Sequence, residues 1–108
     1  MKNRYNNMSE KEQLTAVNED GFAIAIQFIK NPSEEVQIAA VSENGFAIEF
    51  IKNPSEEVQI AAVSRHGWCI QFIKNPSEEV QVATVSQNKY FIRFIKNPTE
   101  LVKSFARL

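Results

Sequence analysis

A chain of 108 residues, 44% hydrophobic and 23% charged, has the size and composition of one soluble globular domain. A formal net charge of −1 gives no whole-molecule field that would draw in nucleic acid or an anionic membrane. One cysteine, Cys69, and one histidine, His66, exclude an internal disulfide framework and leave any metal site to carboxylates.

The opening MKNRYNNMSEKEQ is polar and carries no apolar run for a signal peptide, and no later stretch approaches the ~20 apolar residues of a membrane span. A cytoplasmic location without membrane attachment is therefore expected. From Ser9 onward the chain repeats itself. Ser9–Lys30 is a diverged first unit, Asn31–Lys52, Asn53–Lys74 and Asn75–Lys96 are three units of 22 residues, and Asn97–Leu108 is half of another, so residues 1–108 read as a single repeat domain. Aligned through SEKEQLTAVNEDGFAI, the first unit carries two extra residues, Ala25 and Ile26, before QFIK. The text IKNPSEEVQIAAVS at Ile29–Ser42 returns letter for letter at Ile51–Ser64, which goes beyond what packing requires and points to recent duplication.

Each unit predicts two short helices. In NPSEE, Asn31 suits the N-cap, Pro32 the first helical position and Glu34 the third position of a capping box. A first helix over about Pro32–Val41 follows, with Glu34 and Glu35 at the positive end of its dipole. SENG breaks it, with Asn44 or Gly45 left-handed. In FAIEFIK, Phe46, Ala47, Phe50 and Ile51 share a face at α-helical spacing and leave Glu49 and Lys52 outside, a second helix of two turns. Asn before Pro ends that helix at Asn53.

The end units carry the stacking logic, because a solenoid must present polar terminal faces. Glu12 and Thr15 stand where the next unit has Val36 and Ala39, so these two should face the preceding unit. Ser104 and Arg107 replace Ile38 and Val41, so these should face the following one, while Val102 and Phe105 stay apolar. The expected fold is all-α: a short right-handed-type α/α solenoid of about four helical hairpins. The alternative is a leucine-rich-repeat-like α/β solenoid, since IEFIKN fits an L-x-L-x-x-N core. Ser33 and Gly45 fall where that repeat wants apolar residues, and proline directly after Asn suits helix entry better.

The stretch VQIAAVSENGFAIEFIKNPSEEVQIAAV at Val36–Val63 resembles short helical repeats with a V-x-x-A-V-x-x-N-G-x-A-L-like core. These form a domain of unknown function in phage, giant-virus and bacterial effector proteins. More distantly it looks like the leucine-rich variant repeats. The resemblance covers nearly the whole chain, and Asn75–Lys96 departs from it with Lys89 in place of Gly. It implies a helical solenoid acting by interaction, in phage or host–parasite settings, with no catalytic residues to carry over and, for a phage protein, the host cytoplasm as location.

Chemistry-bearing motifs are absent: no Gly-rich phosphate loop, no Cys or His pair at metal spacing and no Ser/His/acid trio, so neither catalysis nor a metal or cofactor is expected. The ladder Lys30, Lys52, Lys74, Lys96 is expected to pair with the repeated SEE carboxylates. What varies between copies is the turn and the polar side of the second helix. There Arg65, His66, Trp68, Lys89, Tyr90 and Arg93 make the candidate partner-binding edge, of residue types common in binding hot spots. Trp68 and Tyr90 fit equally well as occupants of the Phe46 core slot, His66 reads as an exposed turn residue, Cys69 as a small buried thiol, and Lys89 as a strained residue where other units have Gly. The expected function is a non-catalytic protein-binding repeat module, an inhibitor of a host defence protein if of phage origin. RNA or DNA binding along Arg65, Lys89, Arg93, Lys96, Lys103 and Arg107 is one alternative, and self-association end to end is another.

Overall fold

Each of the three full units opens with a reversal that few residue types accept. In the computed structural model, which describes residues 4–19 and 23–107, Asn31, Asn53 and Asn75 hold φ of 53°, 54° and 54°. This is the left-handed region, which asparagine enters more readily than other residues with a side chain. Two residues on, Ser33, Ser55 and Ser77 cap the α-helices, their hydroxyls accepting from the N–H of Val36, Val58 and Val80 at 3.2, 3.3 and 3.3 Å. The cap is thus Ser33 and not Asn31, and the helix starts at Glu34 rather than Pro32. Valine at the third position cannot complete a capping box. The reciprocal pair forms in the first unit instead, where Ser9 N–H donates to Glu12 Oε1 at 2.9 Å and Glu12 N–H to Ser9 Oγ at 3.2 Å. The repeated glutamine folds back on the entry: Gln37, Gln59 and Gln81 Nε2 donate to the carbonyls of Pro32, Pro54 and Pro76 at 3.0, 3.0 and 3.1 Å.

The α-helices are Glu10–Glu19 (α1), Glu34–Glu43 (α2), Glu56–Arg65 (α3), Glu78–Gln87 (α4) and Glu100–Arg107 (α5). Arg4–Asn7 (η1) is a 3₁₀ turn before α1, and six-residue 3₁₀ helices follow α1 to α4: Ala23–Phe28 (η2), Gly45–Phe50 (η3), Gly67–Phe72 (η4) and Lys89–Phe94 (η5). Among the described residues there is no strand, which removes the leucine-rich-repeat-like alternative. The architecture is an all-α repeat whose second elements are 3₁₀ rather than α.

Asn44 explains that difference. It leaves α2 with extended backbone, its side chain accepts from Phe46 N–H at 3.0 Å, and its carbonyl accepts from Ala47 N–H at 2.9 Å, setting a three-residue turn. Ile51 N–H closes on the Ile48 carbonyl in the same i to i+3 fashion at 3.1 Å. At three residues per turn Gly45, Ile48 and Ile51 form one line, and all are buried, with Ala47 beside them. Phe50, placed inward by α-helical spacing, is exposed; Ile48 takes its place, while Glu49 and Lys52 stay outside as expected.

The glycines serve a different purpose from the expected one. Asn44 is extended and neither Gly45 nor Gly67 has a left-handed φ; what they need is room. A Cβ on Gly45 would stand 2.6 Å from the Ala62 carbonyl oxygen, and one on Gly67 2.3 Å from the Phe91 ring. Lys89 is not left-handed either, so it carries none of the strain assigned to it.

Each α-helix packs on the next α-helix and, from η2 onward, each 3₁₀ helix on the next 3₁₀ helix, and the two rows close on each other in a body of 50 × 22 × 19 Å. Val36, Ala40 and Val41 of α2, and their counterparts Val58, Ala62 and Val63, have no exposed surface, while Ile38 and Ala39 pack half-buried against this core. Glu12, Thr15, Ser104 and Arg107 are exposed on the first and last α-helices as expected; Phe105, expected to remain packed, is exposed together with Leu101. The extra residues of the first unit are not Ala25 and Ile26, which are buried in η2 like Ala47 and Ile48 in η3. They fall in the connection over residues 20–22, outside the described residues, where α2 and η3 are separated by Asn44 alone.

Candidate functional site

Stacking 3₁₀ helices leaves two outward lines per unit. One runs Phe46–Glu49–Lys52, Trp68–Gln71–Lys74 and Tyr90–Arg93–Lys96; the other ends in Phe50, Phe72 and Phe94. The variable aromatic and the variable polar residue Glu49, Gln71 or Arg93 therefore stand on one line of one short helix, and the invariant lysine follows just beyond its extended C-cap. Reading the second helix as α separated them, and so hid the phenylalanines from the list of candidates.

Phe28, Phe50, Phe72 and Phe94 are 36% to 51% exposed. Between successive 3₁₀ helices lie open grooves. The larger, of about 750 Å³, has Ile70, Ile73 and Ile95 as apolar floor, Phe72 and Phe94 as walls, and Lys74, Arg93 and Lys96 on its rim. A second, of about 410 Å³, includes Ile48, Glu49, Ile51, Phe72 and Lys74. The residues that η3 and the start of α3 give to the smaller groove recur 22 residues later in the larger one: Ile48 becomes Ile70, Glu49 becomes Gln71 and Gln59 becomes Gln81. The groove is a repeated feature whose charge changes from unit to unit.

The expected edge residues divide into two groups. Trp68 is 43% exposed, in a T-shaped pair with Phe46 with ring centres 4.7 Å apart, and Tyr90 is 64% exposed, with the Lys89 ammonium 5.8 Å from its ring centre. Neither is sunk in the core. Arg65 is exposed at the end of α3, and Arg93 is exposed on the groove rim. His66 is not a free turn residue: it caps α3 half-buried, and its Nδ1 accepts from Gly45 N–H of the preceding unit at 3.1 Å. Burial, and then the neighbouring Arg65 charge, lowers its pKa below the usual 6.5. Gln87 performs the same service one unit later, accepting from Gly67 N–H at 2.8 Å and donating to the Ser64 carbonyl.

The remaining candidate chemistry is structural. Cys69 is buried within η4, and burial pushes its thiol up to about 12, far from a reactive thiolate. Among the described residues no group of three His, Cys, Asp or Glu side chains is placed to hold a metal ion. Lys52, Lys74 and Lys96 of the lysine ladder make no ion pair among the described residues, where a salt bridge joins Lys103 to Glu100 at 3.2 Å. The glutamates act between units instead. Glu34 Oε1 accepts from the Ser55 hydroxyl at 2.9 Å, and the side-chain hydrogen bond and charge of Glu56 raise the pKa of Glu79. No helix among the described residues is long and apolar enough to cross a membrane. In comparisons with protein-family models, curated proteins and solved structures, nothing matches the chain.

Proposed function

We propose that the protein is a non-catalytic protein-binding repeat module that meets its partner along the row of 3₁₀ helices. One observation carries this reading: that row keeps Phe28, Phe50, Trp68, Phe72, Tyr90 and Phe94 exposed side by side. Aromatic area left in water at every unit is unfavourable for an isolated chain and is what a protein interface uses as anchors. His66 Nδ1 and the Gln87 side-chain amide are engaged in holding the stack, which leaves the row little equipment for acid–base work. The phage and host-defence setting implied by the resemblance makes bacterial lysate the natural source of a partner.

Capture from such a lysate on the immobilised chain, read by mass spectrometry, tests the reading. A specifically captured protein should be lost with Trp68→Ala and Tyr90→Ala combined and kept with Glu34→Gln and Glu56→Gln combined. Capture that survives loss of the aromatics but fails with the glutamate variants would place the contact elsewhere and remove this reading. A second reading has its own observation: Lys74, Arg93 and Lys96 beside Phe72 and Phe94 is a composition that also suits single-stranded nucleic acid. Salt-dependent retention of oligonucleotide separates the two.

A further inference from the structure

The larger groove differs from its repeat neighbour in charge. Its rim carries Lys74, Arg93 and Lys96 with no carboxylate among its lining residues, whereas the smaller groove sets Glu49 against Lys74. The helix N-terminal Glu78 and Glu79 begin beyond Pro76 and do not line it. Its floor is apolar: Ile73 and Ile95 are buried, and Phe72 and Phe94 present exposed rings above them. Resting on the protein-binding reading, we infer that this groove, between η4 and η5, receives a short acidic–apolar peptide segment of the partner. An apolar side chain enters between Phe72 and Phe94, and flanking carboxylates meet Lys74, Arg93 and Lys96.

The three cations have no ion-pair partner among the described residues, so a carboxylate arriving there breaks no existing contact. A polyanion is the poorer fit. A nucleic acid following the row toward the N-terminus meets Glu49 in the next groove and then the exposed Glu43 at the end of α2, so after one groove its phosphates would face carboxylates set among the lysines. A short segment with charge confined to a few residues matches a cationic patch one groove wide. Opposite-sign charge over a desolvated apolar floor also supplies discrimination, since the like-charged segment is repelled at the same three positions.

The test uses the whole chain and three fluorescent probes measured by anisotropy: a peptide of Glu and Asp around a Leu-Phe pair, the same peptide with Lys for the acids, and oligouridine. The acidic peptide should bind and the basic one should not. Arg93→Glu with Lys96→Glu should weaken the acidic peptide at least about tenfold, and Phe94→Ala comparably. The neutral pair Arg93→Gln and Lys96→Gln should weaken it less while leaving the melting temperature unchanged, which guards against misfolding. No binding of the acidic peptide, equal binding of both peptides, indifference to charge reversal, or tighter binding of oligouridine would each overturn the inference. Lysate capture distinguishes the two levels: a partner still held by the charge-reversed chain but lost with Trp68→Ala and Tyr90→Ala leaves the module reading in place and removes only the acidic segment.

Discussion

At Asn53 the side chain is selected by backbone conformation rather than by any contact. With φ of 54°, the position penalises a residue whose side chain offers no local compensation. Asn53→Ala should therefore destabilise by about 1 kcal/mol and Asn53→Gly by no more than a few tenths, a ranking that thermal melting checks. Lys89 obeys the opposite rule. Its backbone is ordinary, so glycine there adds only unfolded-chain entropy, and Lys89→Gly should lower stability by about 0.5–1 kcal/mol instead of relieving strain. A rise in melting temperature would restore the strained reading. The repeated NPSEEVQ text, which looked like the trace of duplication, thus has a task at most positions: Asn turns the chain, Ser caps it, Val enters the core and Gln clasps the proline carbonyl. Those tasks were hard to foresee because Asn and Ser are both good N-caps, and composition alone does not choose between them.

His66 acts at the scale of an element, since its ring joins the end of α3 to the start of η3. Only neutral imidazole with a bare Nδ1 can accept from Gly45 N–H, so protonation turns the acceptor into a donor and breaks the link. The folded pKa lies below the ordinary 6.5, so the unfolded chain binds the proton more readily. The contribution is complete above that value, is lost as the pH falls below it, and is gone once the folded-state pKa is passed. Melting between about pH 7.5 and pH 5 should show this loss in the natural chain, and His66→Gln, which keeps an acceptor, should remove that part of the slope. His66→Ala leaves a buried N–H unpaired and should cost about 1–3 kcal/mol at neutral pH. The two-helix unit was legible from the spacing of apolar residues. The 3₁₀ character of its second half was not, because Phe46, Ala47, Phe50 and Ile51 satisfy a period of 3.6 as well as Gly45, Ile48 and Ile51 satisfy 3.0. That ambiguity put the invariant phenylalanines in the core and kept the grooves out of view, while Trp68, Tyr90 and Arg93 could be picked out because they vary.

For the whole molecule the question is how far a local break spreads. In a stack each unit touches only its neighbours, so stability is a sum of weak units and the interfaces that join them. Val58 sits mid-stack with no exposed surface, on an α-helix packed against both α2 and α4, whereas Val102, equally buried, lies on α5, which meets α4 and η5. An aspartate at either place is an unpaired buried charge costing several kcal/mol, so the chemistry of the two substitutions is the same and only the position differs. Val58→Asp removes two α-helix interfaces at once and should abolish most of the helical signal in circular dichroism, with no residual cooperative melt. Val102→Asp should release α5 alone and leave a cooperative transition at reduced temperature, with most of the helical signal intact. Equal losses from the two variants would mean that the chain folds as one indivisible core, and the unit-by-unit account of the grooves would lose its basis.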